Sequence, residues 1–343
     1  MTKGIALRYR LFGPTGLRVS DAWLGTMTFG REWKWGAPAA ECRKMFDAYA
    51  EAGGNVLDTA DKYTDGQSES ILGELLAGQR ERWVVSTKYT VTRDGTDPNA
   101  SGNHRKNLTA ALEASLRRLA TDYVDLYWVH IWDRLTPLEE TMRTLDDAVR
   151  AGKVLYVGVS DMPAWTVARA NTIAELRGWT PFAGIQVRYN LAQRDIEREL
   201  LPMADALGLS VAAWSPLAAG LLSGKFNRGE AAKDARLAGR EITPRELEIA
   251  AAVQEVAAEL AATPSQVAIA WTRAHRAHVH PLLGARTLEQ LTDNLAAIDL
   301  VLPAAALARL DEASAIDIGF PYDFLDGSTG FVFGDVGDRI DFR

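Results

Sequence analysis

Only one cysteine, Cys42, occurs in the 343 residues. A single thiol excludes an internal disulfide and a cysteine-based zinc site. Long apolar runs are also missing, and no stretch approaches the roughly 18 apolar residues that a membrane-spanning helix needs. Residues 1–10 contain no apolar core of the kind a secretory leader carries. Charge of one sign is never concentrated: the net charge is −7, with acidic and basic residues interspersed. That pattern argues against a nucleic-acid partner and against a polybasic membrane patch. Histidine is scarce, and His275, His278 and His280 lack the H-E-x-x-H spacing, so no metal site is expected. A cytoplasmic location is the expectation, and oligomeric state is left open.

The apolar content of 47% with 24% charged residues suits a large buried core. Residues 8–20 read as a hairpin around the turn G-P-T-G. After it, short apolar runs alternate with amphipathic stretches. Strands are expected at 22–25, 55–57, 83–87, 123–129, 154–159, 183–187, 210–213 and 279–283. Helices are expected at 39–51, 68–76, 103–119, 137–150, 164–176, 196–206, 247–261 and near 303–313. Eight strand–helix units without a Gly-x-Gly-x-x-Gly after the first point to an α/β fold, a (β/α)8 TIM barrel spanning 1–343 as one domain. A doubly wound sheet gives the same alternation and is the alternative. Long loops are expected at 29–38 and 223–244, and the Gly-, Asp- and Phe-rich tail at 315–343 should either cover something or stay mobile.

In such a barrel the site forms at the carboxyl ends of the strands. Reading the residue after each apolar run yields Asp58, Lys88, His130, Ser160 with Asp161, Gln186, and Trp214 with Ser215. Each alone is explained by a cap, a turn or packing, but together they suit one cleft. The stretch N-V-L-D-T-A-D-K-Y, residues 55–63, is central. A phenol such as Tyr63 serves as a general acid only when a cation lowers its pKa from about 10, and a cation in a cleft needs a carboxylate. Lys88 and Asp58 are the candidates. In the eighth unit Arg286, Gln290 and Asn294 are four apart and are expected on one helix face near its N-terminus, where free N–H groups attract phosphate. Lys225, in L-L-S-G-K, offers a second phosphate contact. The outline is of a long anionic ligand crossing the barrel mouth, as a dinucleotide would. Trp33, Trp35 and Trp132 lie in loops expected at that mouth and are candidates for the substrate pocket.

At these residues the sequence resembles the aldo-keto reductases over nearly its whole length. The matching motifs are L-D-T-A-D-x-Y (57–63), S-T-K (86–88), His130, G-V-S-D (158–161), Gln186, W-S-P-L (214–217) and G-A-R-T-L-E-Q-L-x-x-N (284–294). V-H-I-W-D and K-V-L-Y-V-G-V-S-D-M-P-A-W are similar to the aryl-alcohol dehydrogenase and norsolorinic-acid reductase branch. The resemblance implies a catalytic tetrad of Asp58, Tyr63, Lys88 and His130, and NADPH/NADP+ as cofactor for reducing a small-molecule carbonyl. It assigns cofactor contacts to Gly25, Thr26, Met27, Asp58, Ser160, Asp161, Gln186, Trp214, Ser215, Leu217, Lys225, Gly284, Arg286, Gln290, Asp293 and Asn294. Tyr63 and His130 would also face the substrate. Asp161 departs from the asparagine common in the family, and an ionised aspartate only accepts hydrogen bonds. A cofactor-binding regulator of the channel β-subunit type is the alternative, but such subunits typically carry asparagine where His130 stands.

Overall fold

The computed structural model describes residues 6–33, 35–224 and 241–340. Strands β1 (Tyr9–Leu11) and β2 (Arg18–Ser20) pair antiparallel as a hairpin. Eight parallel strands then close into a barrel: β3 (Trp23–Gly25), β4 (Val56–Asp58), β5 (Val84–Tyr89), β6 (Val124–Val129), β7 (Val154–Ser160), β8 (Phe182–Arg188), β9 (Ser210–Trp214) and β10 (Val279–Gly284). Closure comes from β10, which bonds β9 on one side and β3 on the other. The expected barrel, not the doubly wound alternative, is therefore the fold realised, and all eight expected strands are present.

The helices are α1 (Ala39–Glu51), α2 (Gln67–Leu76), α3 (Arg105–Leu119), α4 (Leu138–Arg150), α5 (Ala164–Arg177) and α6 (Leu200–Leu207). They are followed by α7 (Pro244–Glu259), α8 (Pro264–Thr272), α9 (Leu288–Ala296), α10 (Ala304–Ala313), α11 (Tyr322–Asp326) and α12 (Thr329–Phe333). In α4, Leu138, Met142 and Leu145 recur at helical spacing and are buried, while Glu139 and Glu140 favour the positive N-terminal end. Helix α8 was not anticipated, although its signal stands in the sequence. Thr263-Pro264-Ser265-Gln266 forms a capping box with proline at the first helical position. The helix expected at 196–206 is divided into a single turn, Asp195–Glu197, and α6, because the backbone at Glu199 leaves helical geometry.

Within the strands, alternate residues face two cores. Trp23, Val56, Val84, Leu126, Trp128 and Leu282 fill the barrel interior, while Leu57, Val85, Tyr127 and Val129 pack under the helices. The hairpin seals the amino-terminal end of the barrel. Phe12 is fully buried there against Trp23 and Trp128, at 5.8 and 6.2 Å between ring centroids. Gly184 is required beneath it, since a Cβ would sit 2.6 Å from the Phe12 ring. With one end plugged, the carboxyl ends of the strands are left for a site. Among the described residues of the tail, Phe320, Phe324 and Phe331 are exposed. Among the described residues, no helix is long and apolar enough to cross a membrane. His275 faces Asp311, His278 faces Asp205, and His280 is enclosed in the barrel beside Trp23.

Candidate active site

Strand β4 ends in Asp58, buried at 1% exposure, and three side chains converge on its carboxylate. Ser86 Oγ and Gln186 Nε2 donate to Oδ1 at 2.6 and 2.9 Å, and Lys88 Nζ donates to Oδ2 at 2.6 Å. The Lys88 ammonium also donates to the Thr59 carbonyl at 2.7 Å and lies 4.8 Å from the centroid of the Tyr63 ring. Burial pulls the Lys88 pKa down, but the charge of Asp58 and bonds to Asp58 and Tyr63 outweigh it and hold the pKa above its ordinary value. Lys88 is a buried, permanent cation beside a phenol.

The backbone aims that phenol. Thr64 (φ 46°) and Asp65 (φ 54°) take left-handed conformations directly after Tyr63, and Gly66 follows at φ 92°. Non-glycine residues adopt this region at a cost, and surrounding bonds must enforce it. Thr64 Oγ1 donates to the Phe29 carbonyl at 2.7 Å and accepts from the Ser68 amide at 3.0 Å. His130, at the end of β6, meets Tyr63 edge-on at 5.9 Å. Burial and the Lys88 charge push its imidazole down to a pKa of about 3, so it is neutral at physiological pH. Its Nδ1 is buried without a hydrogen-bond partner.

Of the three loop tryptophans, Trp33 lies 6.4 Å from Tyr63, and Trp35 packs on Trp33 at 5.7 Å. Trp132 pairs edge-on with Trp165 of α5 at 5.9 Å. On the other side of the mouth, Trp214 Nε1 donates to Asp161 Oδ1 at 3.3 Å, and the Arg188 guanidinium lies 5.3 Å from the Trp214 ring centroid. Burial raises the Asp161 pKa; bonds from Trp214 and Ser160 and the charge of Arg188 oppose it. After β9, Ser215 (φ 57°), Ala218 (φ 48°) and Ala219 (φ 57°) give a left-handed turn, with Ser215 Oγ accepting from Ala219 N at 3.1 Å and Leu217 half-buried. Lys225 lies outside the described residues.

Several expected site residues have different neighbours from those the sequence suggested. Gln186 is committed to Asp58. Thr26 is fully buried and bonds the Asp58 carbonyl through both N and Oγ1, which makes it a support for the carboxylate strand. Gly25 pairs with Asp58 and Gly284 across adjacent strands, and Met27 follows Thr26 in the loop leaving β3. Arg286 stands before α9, whose cap is Thr287, so it does not share the helix face with Gln290 and Asn294. The turn is instead closed by Gln290 Oε1 on Arg286 N at 2.9 Å and Asn294 Nδ2 on the Gly284 carbonyl at 3.3 Å. The N–H groups of α9 are also less free than expected: Leu288 N donates to Glu41 Oε1 at 2.8 Å, and Gln290 N to Thr287 Oγ1. Asp293 turns to α8, accepting from Thr263 Oγ1 and Gln266 Nε2 at 3.0 and 2.7 Å.

Two site residues were not anticipated, Ser86 and Arg188. Each is two positions from a recognised residue on the same strand, Lys88 and Gln186. Strand alternation therefore places them on the same face.

A model of the aldo/keto reductase family matches residues 23–315. Norsolorinic acid reductase of Aspergillus flavus is 38% identical, over 92% of this chain and 83% of its own length. A putative aryl-alcohol dehydrogenase of Saccharomyces cerevisiae is 35% identical, over 92% and 88%. An aryl-alcohol dehydrogenase [NADP(+)] of Phanerodontia chrysosporium is 37% identical, over 94% and 90%. Matched along most of its length and carrying the buried Asp58–Lys88 pair beside Tyr63 and His130, the chain is an oxidoreductase that belongs to the aldo/keto reductase family.

Proposed function

We propose that this protein reduces aryl or bulky apolar aldehydes and ketones to alcohols with NADPH, Tyr63 acting as proton donor. The observation that carries the reading is Lys88, held at 2.6 Å from Asp58 and against the face of Tyr63 with no exposure to solvent. When bound, NADPH supplies the hydride that the carbonyl carbon accepts. Tyr63 gives its hydroxyl proton to the carbonyl oxygen, so one hydride and one proton convert C=O to CH–OH. The Lys88 ammonium stabilises the phenolate left on Tyr63, and Asp58 keeps that ammonium in place. His130, neutral, orients the oxygen by hydrogen bonding without competing as an acid.

The donor set suits a nicotinamide. Arg188 covers one face of the Trp214 indole, leaving the opposite face for the ring to stack on, and the Asp161 carboxylate accepts from a carboxamide NH2. Ser160 stands next to that carboxylate. Gly284, Arg286, Gln290 and Asn294 form the turn at the adenosine end, and Ser215 and Leu217 border the pyrophosphate path. The 2′-phosphate of NADPH is matched by Arg286, and the name of the Phanerodontia relative includes NADP(+). Aromatic preference is supported by Trp33 beside Tyr63, with Trp35 packed on Trp33, and by the names of the relatives.

Replacing Tyr63 by Phe tests the mechanism. Fluorescence titration with NADPH should show binding nearly as in the parent, while reduction of 4-nitrobenzaldehyde falls at least about 10²-fold. Parent-like turnover in the variant would remove Tyr63 as the acid.

A further inference from the structure

We propose that Asp161 sets which oxidation state of the nicotinamide the site prefers, its carboxylate stabilising the positive charge of the oxidised ring. This rests on the NADPH reading above. Trp214 Nε1 donates to Asp161 Oδ1 at 3.3 Å, which fixes the carboxylate at the edge of the indole. Arg188 covers one face of that indole, so a nicotinamide stacks on the other. Offset-stacked rings have centroids roughly 4.5–7 Å apart, which leaves the carboxylate at a similar distance from the nicotinamide. NADP+ carries a positive charge on that ring and NADPH carries none there. The carboxylate therefore attracts one form and not the other.

The charge is held in place and is not neutralised by a neighbour. Asp161 has a left-handed backbone (φ 47°), and its amide donates to the Gln186 carbonyl at 3.3 Å. The residue is exposed at the mouth, where a ligand can meet it. Among the described residues Asp161 has no ion-pair partner, whereas Asp58 is held by Lys88 at 2.6 Å. Arg188 and Lys88 are the cations whose charge it feels. Lys88 is neutralised by Asp58, and Arg188 lies on the far face of the indole. Of these three side chains, the Asp161 carboxylate thus acts most strongly on the stacked ring. Giving up a hydride to a carbonyl leaves the nicotinamide positive. Asp161 favours that outcome, and so makes bound NADPH the stronger hydride donor.

The test is fluorescence titration of the parent protein and Asp161→Asn with NADP+ and with NADPH, at about pH 8 where a carboxylate is ionised. Asparagine tolerates the left-handed backbone and keeps an acceptor for Trp214 and for the carboxamide, so only the charge is removed. Contacts to the adenosine and the phosphates are common to both cofactors and cancel in the ratio of their affinities. At about 6 Å and an effective dielectric of about 40–80, the charge pair is worth about threefold to tenfold in affinity. The ratio of Kd for NADP+ to Kd for NADPH should rise by that factor in Asp161→Asn, almost wholly through weaker NADP+. An unchanged ratio overturns the proposal. So does an equal loss of both cofactors, which would make Asp161 only a support for Trp214 or an anchor for the carboxamide. If the parent binds both cofactors but reduces no aldehyde, the reductase reading fails while the ratio still decides the role of Asp161. If the parent binds neither, both fall.

Discussion

Gln186 and Asp58, 128 positions apart in the chain, meet inside the barrel, where Gln186 Nε2 donates to Asp58 Oδ1 at 2.9 Å. With Ser86 and Lys88 on the same carboxylate, three side chains are gathered on one buried anion. Lys88 is thereby fixed, and Tyr63 with it.

Removing the cation from this arrangement has two separable effects. Lys88→Met leaves the Asp58 charge buried and unpaired, which costs about 3–5 kcal/mol of stability. Asp58→Asn in the same chain should restore most of that loss, because the unpaired charge is gone. Turnover should stay at least about 10²-fold down in both variants, since neither has an ammonium beside Tyr63. Chemical denaturation and steady-state kinetics check this, and recovery of turnover in the double variant would show that Lys88 serves stability alone.

Cofactor preference is expected to depend on two residues of opposite charge. Arg286→Ala should weaken NADPH about ten- to a hundredfold and NADH little, because only NADPH carries the 2′-phosphate. Glu41 places a carboxylate on the Leu288 amide at 2.8 Å, beside the same helix end. Glu41→Gln keeps an acceptor for that amide and removes the charge, so NADPH should bind roughly three- to tenfold more tightly, with NADH unchanged. Fluorescence titration with both cofactors measures each. Parallel changes in the two affinities would remove the phosphate from this corner.

Trp33, ring to ring with Tyr63, should carry part of the aryl preference. Trp33→Ala should raise KM for aryl aldehydes roughly tenfold, a loss of about 1.4 kcal/mol, and change small aldehydes much less. A panel in which sugars or glyoxal-sized carbonyls gave the highest kcat/KM would contradict the aromatic assignment.

Asp61 predicts an unusual pH profile of stability. Both carboxyl oxygens are buried without a hydrogen-bond partner. Burial and then Glu69 raise its pKa from 3.8 to about 7, against the charges of Arg118 and Arg93. The folded protein therefore holds this proton more tightly than the unfolded chain. Its contribution is full below about pH 4 and is lost as pH rises through 7. Between pH 5 and 8 the Asp61 contribution falls by roughly 2–3 kcal/mol. Asp61→Asn should remove that decline, measured by denaturant unfolding across the range. An unaltered slope in the variant would mean that other groups produce it.

The sequence by itself determined the alternation of strands and helices and the order in which polar residues arrive at the strand ends. Both follow from local causes: apolar runs of strand length, helical spacing of apolar residues, capping boxes and turns. Asp58, Tyr63, Lys88 and His130 were legible because each ends an apolar run or follows one closely, at the strand ends that a barrel brings together. Barrel closure was not legible, because the bonds from β10 to β3 join the first and last strands of the barrel and nothing local encodes them. The partner of Gln186 was likewise decided only in three dimensions. Its carboxamide suits a ligand or a carboxylate equally, and the distance across the barrel selects Asp58. The same holds for Glu41, which reaches the Leu288 amide from 247 positions away and competes where an empty helix end was expected. Arg188 lay within reach of sequence reasoning through strand alternation from Gln186. Its stacking on Trp214 and its lack of a carboxylate partner among the described residues came only from the packing of β8 against β9.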